Sequence, residues 1–380
     1  MKKLIALLAV ISITAGLRPV EAQKIIPKFI RKMYFEKDTS KRSSFVLLPI
    51  LSSAPETGIE AGGAGLYSYY SDTIHHETRV SNLYAYATLT TKGQNRLNLS
   101  TTYWAPQNKY HYYASLGRID FPFSFYGIGN NTAKANEVTV GQKRYRLMLE
   151  AQKRVAKNIY AGLVGGGYKY DFSNNDPNSI YNASPLVEDR AGGTFLYLGP
   201  SFIFDSRNNN TYTTKGMMVN AYYNIMQGVF GNNSYQGGLL NIEYTSFYQL
   251  SKRFVLGFDV QEQSLTGARS PFYLLPEMGS DEMMRGYYGG RYRDRNYLAG
   301  QAELRYRLSE RFGLVGFMGT GEVFHTTFTF PALKPNYGGG LRYFFDVEKG
   351  LSIRADYGIG QKPFGEKRES GFYVGLGEAF

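Results

Sequence analysis

Leu240-Asn241-Ile242-Glu243-Tyr244-Thr245-Ser246-Phe247-Tyr248-Gln249-Leu250 alternates with a period of two. Leu240, Ile242, Tyr244, Tyr248 and Leu250 fall on one face, Asn241, Glu243, Thr245 and Gln249 on the other, and only Ser246 and Phe247 cross over. Such a period marks an extended strand, whose successive side chains point to opposite faces. The pattern recurs. Leu298, Ala302, Leu304, Tyr306 and Leu308 oppose Gln301, Glu303, Arg305 and Arg307; Leu351, Ile353, Ala355 and Tyr357 oppose Ser352, Arg354 and Asp356. Tyr145, Leu147, Leu149 and Ala151 likewise oppose Arg144, Arg146, Glu150 and Gln152. A soluble sandwich alternates too, but its strands average about 5–6 residues. Strands of roughly 9–11 residues with one apolar face and one face of mixed charge suit a bilayer-spanning barrel, lipid outside and an aqueous lumen inside. Closure is then required, because an open sheet edge in hydrocarbon leaves backbone groups without partners.

Extended along the chain, the alternation predicts an all-β transmembrane antiparallel barrel of about sixteen strands, at 45–51, 59–71, 79–91, 95–104, 110–121, 138–152, 157–171, 192–204, 216–229, 237–250, 253–265, 296–308, 313–320, 336–345, 350–359 and 371–380. An even count is the rule for bacterial barrels. The connections differ in kind: 105–108, 251–252, 309–311 and 346–349 are short, whereas 122–137, 172–191, 266–295 and 321–335 are long. Short turns belong to the periplasmic side and long loops to the outside, which puts both termini in the periplasm. Composition agrees with strands and turns: 33 Tyr, 25 Phe and 43 Gly among 380 residues.

Before the barrel domain, 45–380, two segments stand apart. Residues 1–22 carry Lys2 and Lys3, an apolar run from Leu4 to Leu17, and small residues at Val20 and Ala22, the form of a secretory signal peptide. The apolar run is too short to span a bilayer as a helix. Residues 23–44 form a periplasmic leader of net charge +5, in which Ile26, Phe29, Ile30 and Met33 approach helical spacing. The leader is either solvated or a short amphipathic helix, seated on anionic lipid or inside the lumen.

The absence of cysteine excludes disulfides and thiolate metal sites. His75 and His76 would point to opposite faces of an extended chain, and His111 is distant in sequence, so no metal or other cofactor is expected. The net charge of +12 alternates with apolar residues instead of clustering, against nucleic-acid binding. No Gly-x-Ser-x-Gly elbow occurs, which excludes a lipase domain of the patatin type, and the sparse histidines argue against a phospholipase, so no enzymatic activity is expected; no small-molecule substrate is expected either.

Met284-Arg285-Gly286-Tyr287 lies within the polar run from Thr266 to Asn296. Asp205-Ser206-Arg207-Asn208-Asn209, with Thr214-Lys215-Gly216 after it, opens a turn beyond the eighth strand, and the chain ends on an aromatic, Phe380. Together these resemble the BamA/TamA outer-membrane assembly-factor superfamily, the bacterial surface antigen barrels, over residues 45–380. The resemblance implies that the long loop folds into the lumen and that Arg285, with Gly286 and Tyr287, is tethered to the inner wall. A guanidinium keeps its charge and offers five donors, so inside a lumen it demands acceptors. Glu303 matches a family partner. The family's other acceptor, the aspartate of a Phe-x-Asp-x-Gly run, is here Gly319 in Phe317-Met318-Gly319-Thr320-Gly321, which shifts the lock toward Glu303 and Phe317. Asp205 is expected to cap the turn it opens with Arg207, Gly216 to start the next strand, and Phe380 to serve as the C-terminal assembly signal in a strand where Glu378 sits at the membrane interface.

Pro49 in the first strand lacks an amide donor, and Gly371, Gly375 and Gly377 weaken the last, so the join between them is expected to be the barrel's weakest ladder. In the family such a seam is regarded as a lateral gate. Residues 23–44 are too few for a POTRA domain, which implies a POTRA-less member. The reading is a barrel in the bacterial outer membrane, in contact with its lipid and with other envelope proteins, that assists membrane-protein insertion through its seam. A passive or gated diffusion pore and a structural subunit of a larger complex are the alternatives.

Overall fold

The computed structural model of the chain describes residues 43–54, 58–75, 77–230 and 235–380. The signal peptide expected over 1–22 lies outside the described residues, as does the leader expected over 23–44 save its last two positions.

Among the described residues sixteen long strands follow in order: β1 (Ser44–Ala54), β2 (Gly58–Tyr70), β3 (Val80–Thr90), β4 (Asn95–Trp104), β5 (Tyr110–Asp120), β6 (Val138–Ala156), β7 (Ile159–Ser173), β8 (Gly192–Asp205), β9 (Gly216–Val229), β10 (Gln236–Gln249), β11 (Phe254–Leu265), β12 (Asn296–Arg307), β13 (Phe312–Phe324), β14 (Lys334–Asp346), β15 (Leu351–Ile359) and β16 (Ser370–Leu376). Each pairs antiparallel with its successor. Among the described residues no helix is long and apolar enough to cross a membrane.

Burial along the strands is the inverse of a soluble protein's. On β12, Glu303 and Arg305 are buried at 0% and 1% exposure while Leu304 between them is 42% exposed. The charged face therefore looks inward and the apolar face outward, as a barrel in lipid requires. Chords across the interior show the curl of the sheet. Arg79, before β3, meets Asp205 at the end of β8 at 2.9 Å. Val46 on β1 is buried in an apolar cluster with Phe345 of β14 and Leu351 of β15, against which Leu376 of β16 packs. The first and last strands thus come together, yet among the described residues no backbone ladder joins β1 to β16.

Strand boundaries differ from expectation at two instructive places. Strand β6 runs on to Ala156, 19 residues or about 60 Å at the usual rise. Its hairpin with β7 stays level with the neighbouring strand ends, the Arg154 N–H donating to the Lys109 carbonyl and the Asp205 N–H to the Asn158 carbonyl. The excess length lies at the Val138 end, beyond the last pairing with β5 at Lys143. Strand β16, expected to reach Phe380, ends at Leu376. Gly377 takes φ +83°, a left-handed conformation that suits glycine, and turns the tail inward. Glu378 is therefore not at the lipid interface. Its carboxylate accepts from Arg342 Nε at 2.7 Å and from Ser352 Oγ at 3.2 Å inside the lumen. A carboxylate on an apolar outer face has no partner in lipid, and the glycine lets the chain leave the sheet to find one.

Candidate functional site

The 266–295 connection leaves β11 and enters the lumen, pinned near its base by the short antiparallel pair Glu277–Met278 and Tyr292–Arg293. Met278, Met283, Met284, Tyr287 and Tyr292 bury themselves with Tyr297 and Ala299 of β12 and Val323 of β13. That apolar packing carries the loop inward, and Arg285 sits at its tip with no exposed surface.

Arg285 Nη2 donates to Glu303 Oε2 at 2.8 Å and to Gln301 Oε1 at 3.3 Å, and Nη1 donates to Asp356 Oδ2 at 2.7 Å. The guanidinium carbon lies 3.5 Å from the centre of the Phe317 ring, a cation–π contact in a dry setting. Other charges complete a network. Arg305 Nε reaches Glu303 Oε1 at 2.8 Å, Arg342 Nη1 reaches Asp356 Oδ1 at 2.5 Å, and Arg354 Nη2 reaches Asp281 Oδ2 of the same loop at 2.6 Å. With Glu378 on Arg342, four guanidiniums face four carboxylates, and such matching is what lets ionised groups remain buried. Its chemistry is that of a lock: each of the four guanidiniums sends at least one N–H to a carboxylate, while the buried Arg285 Nε, Arg305 Nη1 and Arg354 Nε have no hydrogen-bond partner among the described residues.

Gly286 explains why a glycine follows the arginine. It has φ +108°, and a Cβ there would lie 2.8 Å from the backbone nitrogen of Ile359 and 2.9 Å from the carbonyl carbon of Gly358. Its own N–H donates to Tyr373 Oη on β16 at 2.8 Å. Tyr287 Oη donates to the Pro335 carbonyl at 2.6 Å and accepts from the Gln361 N–H at 3.0 Å. Gly286→Ala is expected to cost more than about 1 kcal/mol, since both the backbone angle and the close approach resist a side chain. The midpoint of urea unfolding in detergent micelles measures it, and an unshifted midpoint would contradict the close packing.

The structure brings together Arg285, Glu303 and Phe317 as sites named from sequence, and adds Asp356, Gln301, Asn336 and Tyr373, which were not. Gly319 pairs with Gln301 of β12 and Asn336 of β14, and a side chain there would press on Asn336 Oδ1 at 2.7 Å. Asn336 Nδ2 holds the Arg285 carbonyl at 3.1 Å. The second carboxylate comes instead from Asp356, two strands beyond β13. Its inward face was legible from alternation; its nearness to Arg285 was not.

On the opposite rim, the 206–215 turn lies across the mouth. Asp205 accepts from the Arg207 backbone N–H at 3.0 Å and from its guanidinium at 2.9 and 3.0 Å, while Gly216 opens β9. Asn210 Nδ2 donates to the Val80 carbonyl at 3.0 Å on one side. On the other, Tyr212 packs edge-on to Phe344 with centroids 5.1 Å apart, and Thr211 Oγ1 bonds to the Lys349 carbonyl. Phe380, off the sheet, lies 5.8 Å from the Phe247 ring, and its carbonyl accepts from Arg305 Nη2 at 2.7 Å. Of the seam positions, Pro49 stands opposite Gly63 in the β1–β2 ladder, Gly371 opposite Gly358 and Gly375 opposite Arg354, with Gly377 past the strand end.

At the long-loop rim, Arg291 joins Glu366 at 2.6 Å and Glu369 at 3.1 Å, tying the inward loop to the 360–369 connection. Burial favours protonation of Glu366, but hydrogen bonds from the Lys134 backbone N–H and from Arg291 outweigh it and hold the carboxyl below its usual range.

Residues 83–380 match the Omp85 superfamily domain. No curated protein is similar in sequence. Solved structures of like fold include BamA from Haemophilus ducreyi lacking POTRA domains 1–3, with a TM-score of 0.56, 13% identity, and coverage of 89% of this chain and 70% of that one. CdiB from Acinetobacter baumannii has a TM-score of 0.54 and 11% identity over 89% of this chain and 60% of that one. CdiB from Escherichia coli has 0.54 and 9% over 88% and 62%. This chain thus spans about three-fifths of the CdiB chains, and at these identities the likeness is one of fold.

Proposed function

Because the chain belongs to the Omp85 superfamily, whose barrels lie in the bacterial outer membrane and work with other envelope proteins, we propose that it assists the insertion of other proteins into that membrane through the join between β1 and β16. The long loops face outward and both termini face the periplasm in this reading. The carrying observation is the contrast between the ladders. Strand β16 makes only seven register pairs with β15, against eleven for β1 with β2, and the described residues hold no ladder between β1 and β16. Unpaired edge groups at membrane depth are a template for another strand, and they disturb the bilayer beside them. The charge lock supports the same reading, because it fixes β12, β14 and β15 as a rigid wall against which the edge can move. No chemical step is required, so the protein is proposed to act without catalysis.

Cysteines in place of Leu47 and Val374, both on outward faces, test the seam. Disulfide formation between them is expected, and the locked protein should lose its stimulation of folding of an unfolded barrel client in proteoliposomes, with recovery on reduction. Full cross-linking with undiminished stimulation would remove the seam from the account.

A further inference from the structure

The connection between β15 and β16 carries Lys362-Pro363-Phe364-Gly365-Glu366-Lys367-Arg368, none of which belongs to the charge lock. Its base is rigid. The Gly360 N–H donates to the Glu369 carbonyl at 2.8 Å, and the Glu369 N–H to the Gln361 carbonyl at 3.0 Å. Both of its carboxylates are engaged by neighbours: Glu366 by Arg291 and by the Lys134 N–H at 2.6 Å, Glu369 by Arg291 and by Tyr292 Oη at 2.8 Å. The remainder is cationic and apolar. Lys362, Lys367 and Arg368 are exposed, and Phe364 is as exposed as a free side chain, at 105%. Among the described residues neither Lys362 nor Lys367 forms an ion pair, and Arg368 gives one N–H to the Gly360 carbonyl at 3.1 Å and meets no carboxylate.

Position narrows what such a tip can meet. It precedes β16 directly, whose outward Phe372 and Val374 begin the lipid-facing band a few residues on. Beside it opens a cleft of about 1070 Å³, bounded by Lys367 and Arg368, with the already engaged Glu366 and Glu369, on one side and by Lys134, Tyr288 and Arg291 of neighbouring loops on the other, its floor reaching Tyr287 and Tyr373. That is just above the range of sites for drug-sized ligands, roughly 300–1,000 Å³. A lysine and an arginine without counter-charges suit phosphate oxygens, and an exposed aromatic at a membrane boundary suits the upper acyl region.

We propose that this tip and cleft bind the phosphorylated head group of an outer-leaflet glycolipid, Lys367 and Arg368 on the phosphate and Phe364 among the first acyl carbons. The sugar occupies the cleft. The inference rests on the reading that the long loops face outward, and it places a specific lipid at the outer end of the β1–β16 join.

The test uses the full chain in phosphatidylcholine nanodiscs, with lipid retention read by native mass spectrometry. The probes are bisphosphorylated lipid A, its dephosphorylated form and phosphatidylglycerol. Wild type should retain lipid A roughly tenfold better than K367E/R368E. F364S should fall between them, and the dephosphorylated probe should be held no better than the double variant holds lipid A. Unheated gel mobility confirms that each variant is folded. Equal retention of lipid A by wild type and K367E/R368E overturns the site. So does equal enrichment of phosphatidylglycerol, which would mark a general attraction of cations for anionic lipid. Orientation is read separately: G365C should react with a membrane-impermeant maleimide on intact cells, and failure to react overturns the outward reading while the nanodisc result still judges the site.

Discussion

Replacing Arg285 with alanine is expected to destabilise the barrel by about 3 kcal/mol, the lower end of the cost of orphaning a buried ionic partner. Glu303 and Asp356 have no exposed surface, and each would lose a donor at 2.7 or 2.8 Å. Arg305 and Arg342 stay on them, which keeps the effect from being larger. Arg285→Lys keeps the charge but has one nitrogen where the guanidinium sends two to different strands, so it should recover less than half of the loss. Arg285→Ala with Glu303→Gln should cost less than the sum of the two single changes, because each removes the other's reason for burial. Urea midpoints followed by unheated gel mobility give all three numbers. Additivity of the pair, or a loss below about 1 kcal/mol for the alanine, would show that the contact does not carry the loop.

The second large effect is on conductance. The lumen is obstructed twice, by the inward loop at mid-height and by the 206–215 turn at the other rim. Planar-bilayer recordings of the intact protein should therefore show small, intermittent currents. Replacing 279–291 by a short Gly-Ser link should raise the single-channel current, and shortening 207–214 as well should raise it to steady openings roughly tenfold above the starting level, as in barrels whose lumen holds only water. Large steady currents from the unaltered chain would instead make the diffusion pore the leading reading.

Much of the barrel was legible because alternation is a local property. Whether Leu304 faces out and Glu303 in depends only on the period of an extended chain, and sixteen such runs with alternating loop lengths constrain the topology. Distances across the lumen are not local. Asp356 reads as one inward carboxylate among many, and only the curl of the sheet brings it to Arg285 from two strands beyond the position vacated at Gly319. The tail shows a different limit. Gly371 to Phe380 carries an alternating pattern to its last residue, but Glu378 falls on its apolar face. That conflict was the signal that the strand would stop, and Gly377 was the residue able to stop it. The 206–215 turn was recognised as a turn, yet nothing in its own sequence announces that Tyr212 finds Phe344 across the mouth.

The hydrogen bond from the Gly286 N–H to Tyr373 Oη joins the loop tip to β16, one of the two strands that, among the described residues, have no ladder on their far side. Two equilibria that look separate, loop in or out of the lumen and edge strand docked or free, therefore share a term in their free energies. Linkage then works in both directions. Whatever withdraws the loop from inside loosens the edge, and whatever captures the edge from the membrane favours release of the loop by the same factor. A client engaging the edge from the bilayer is in this sense an effector of the barrel's interior.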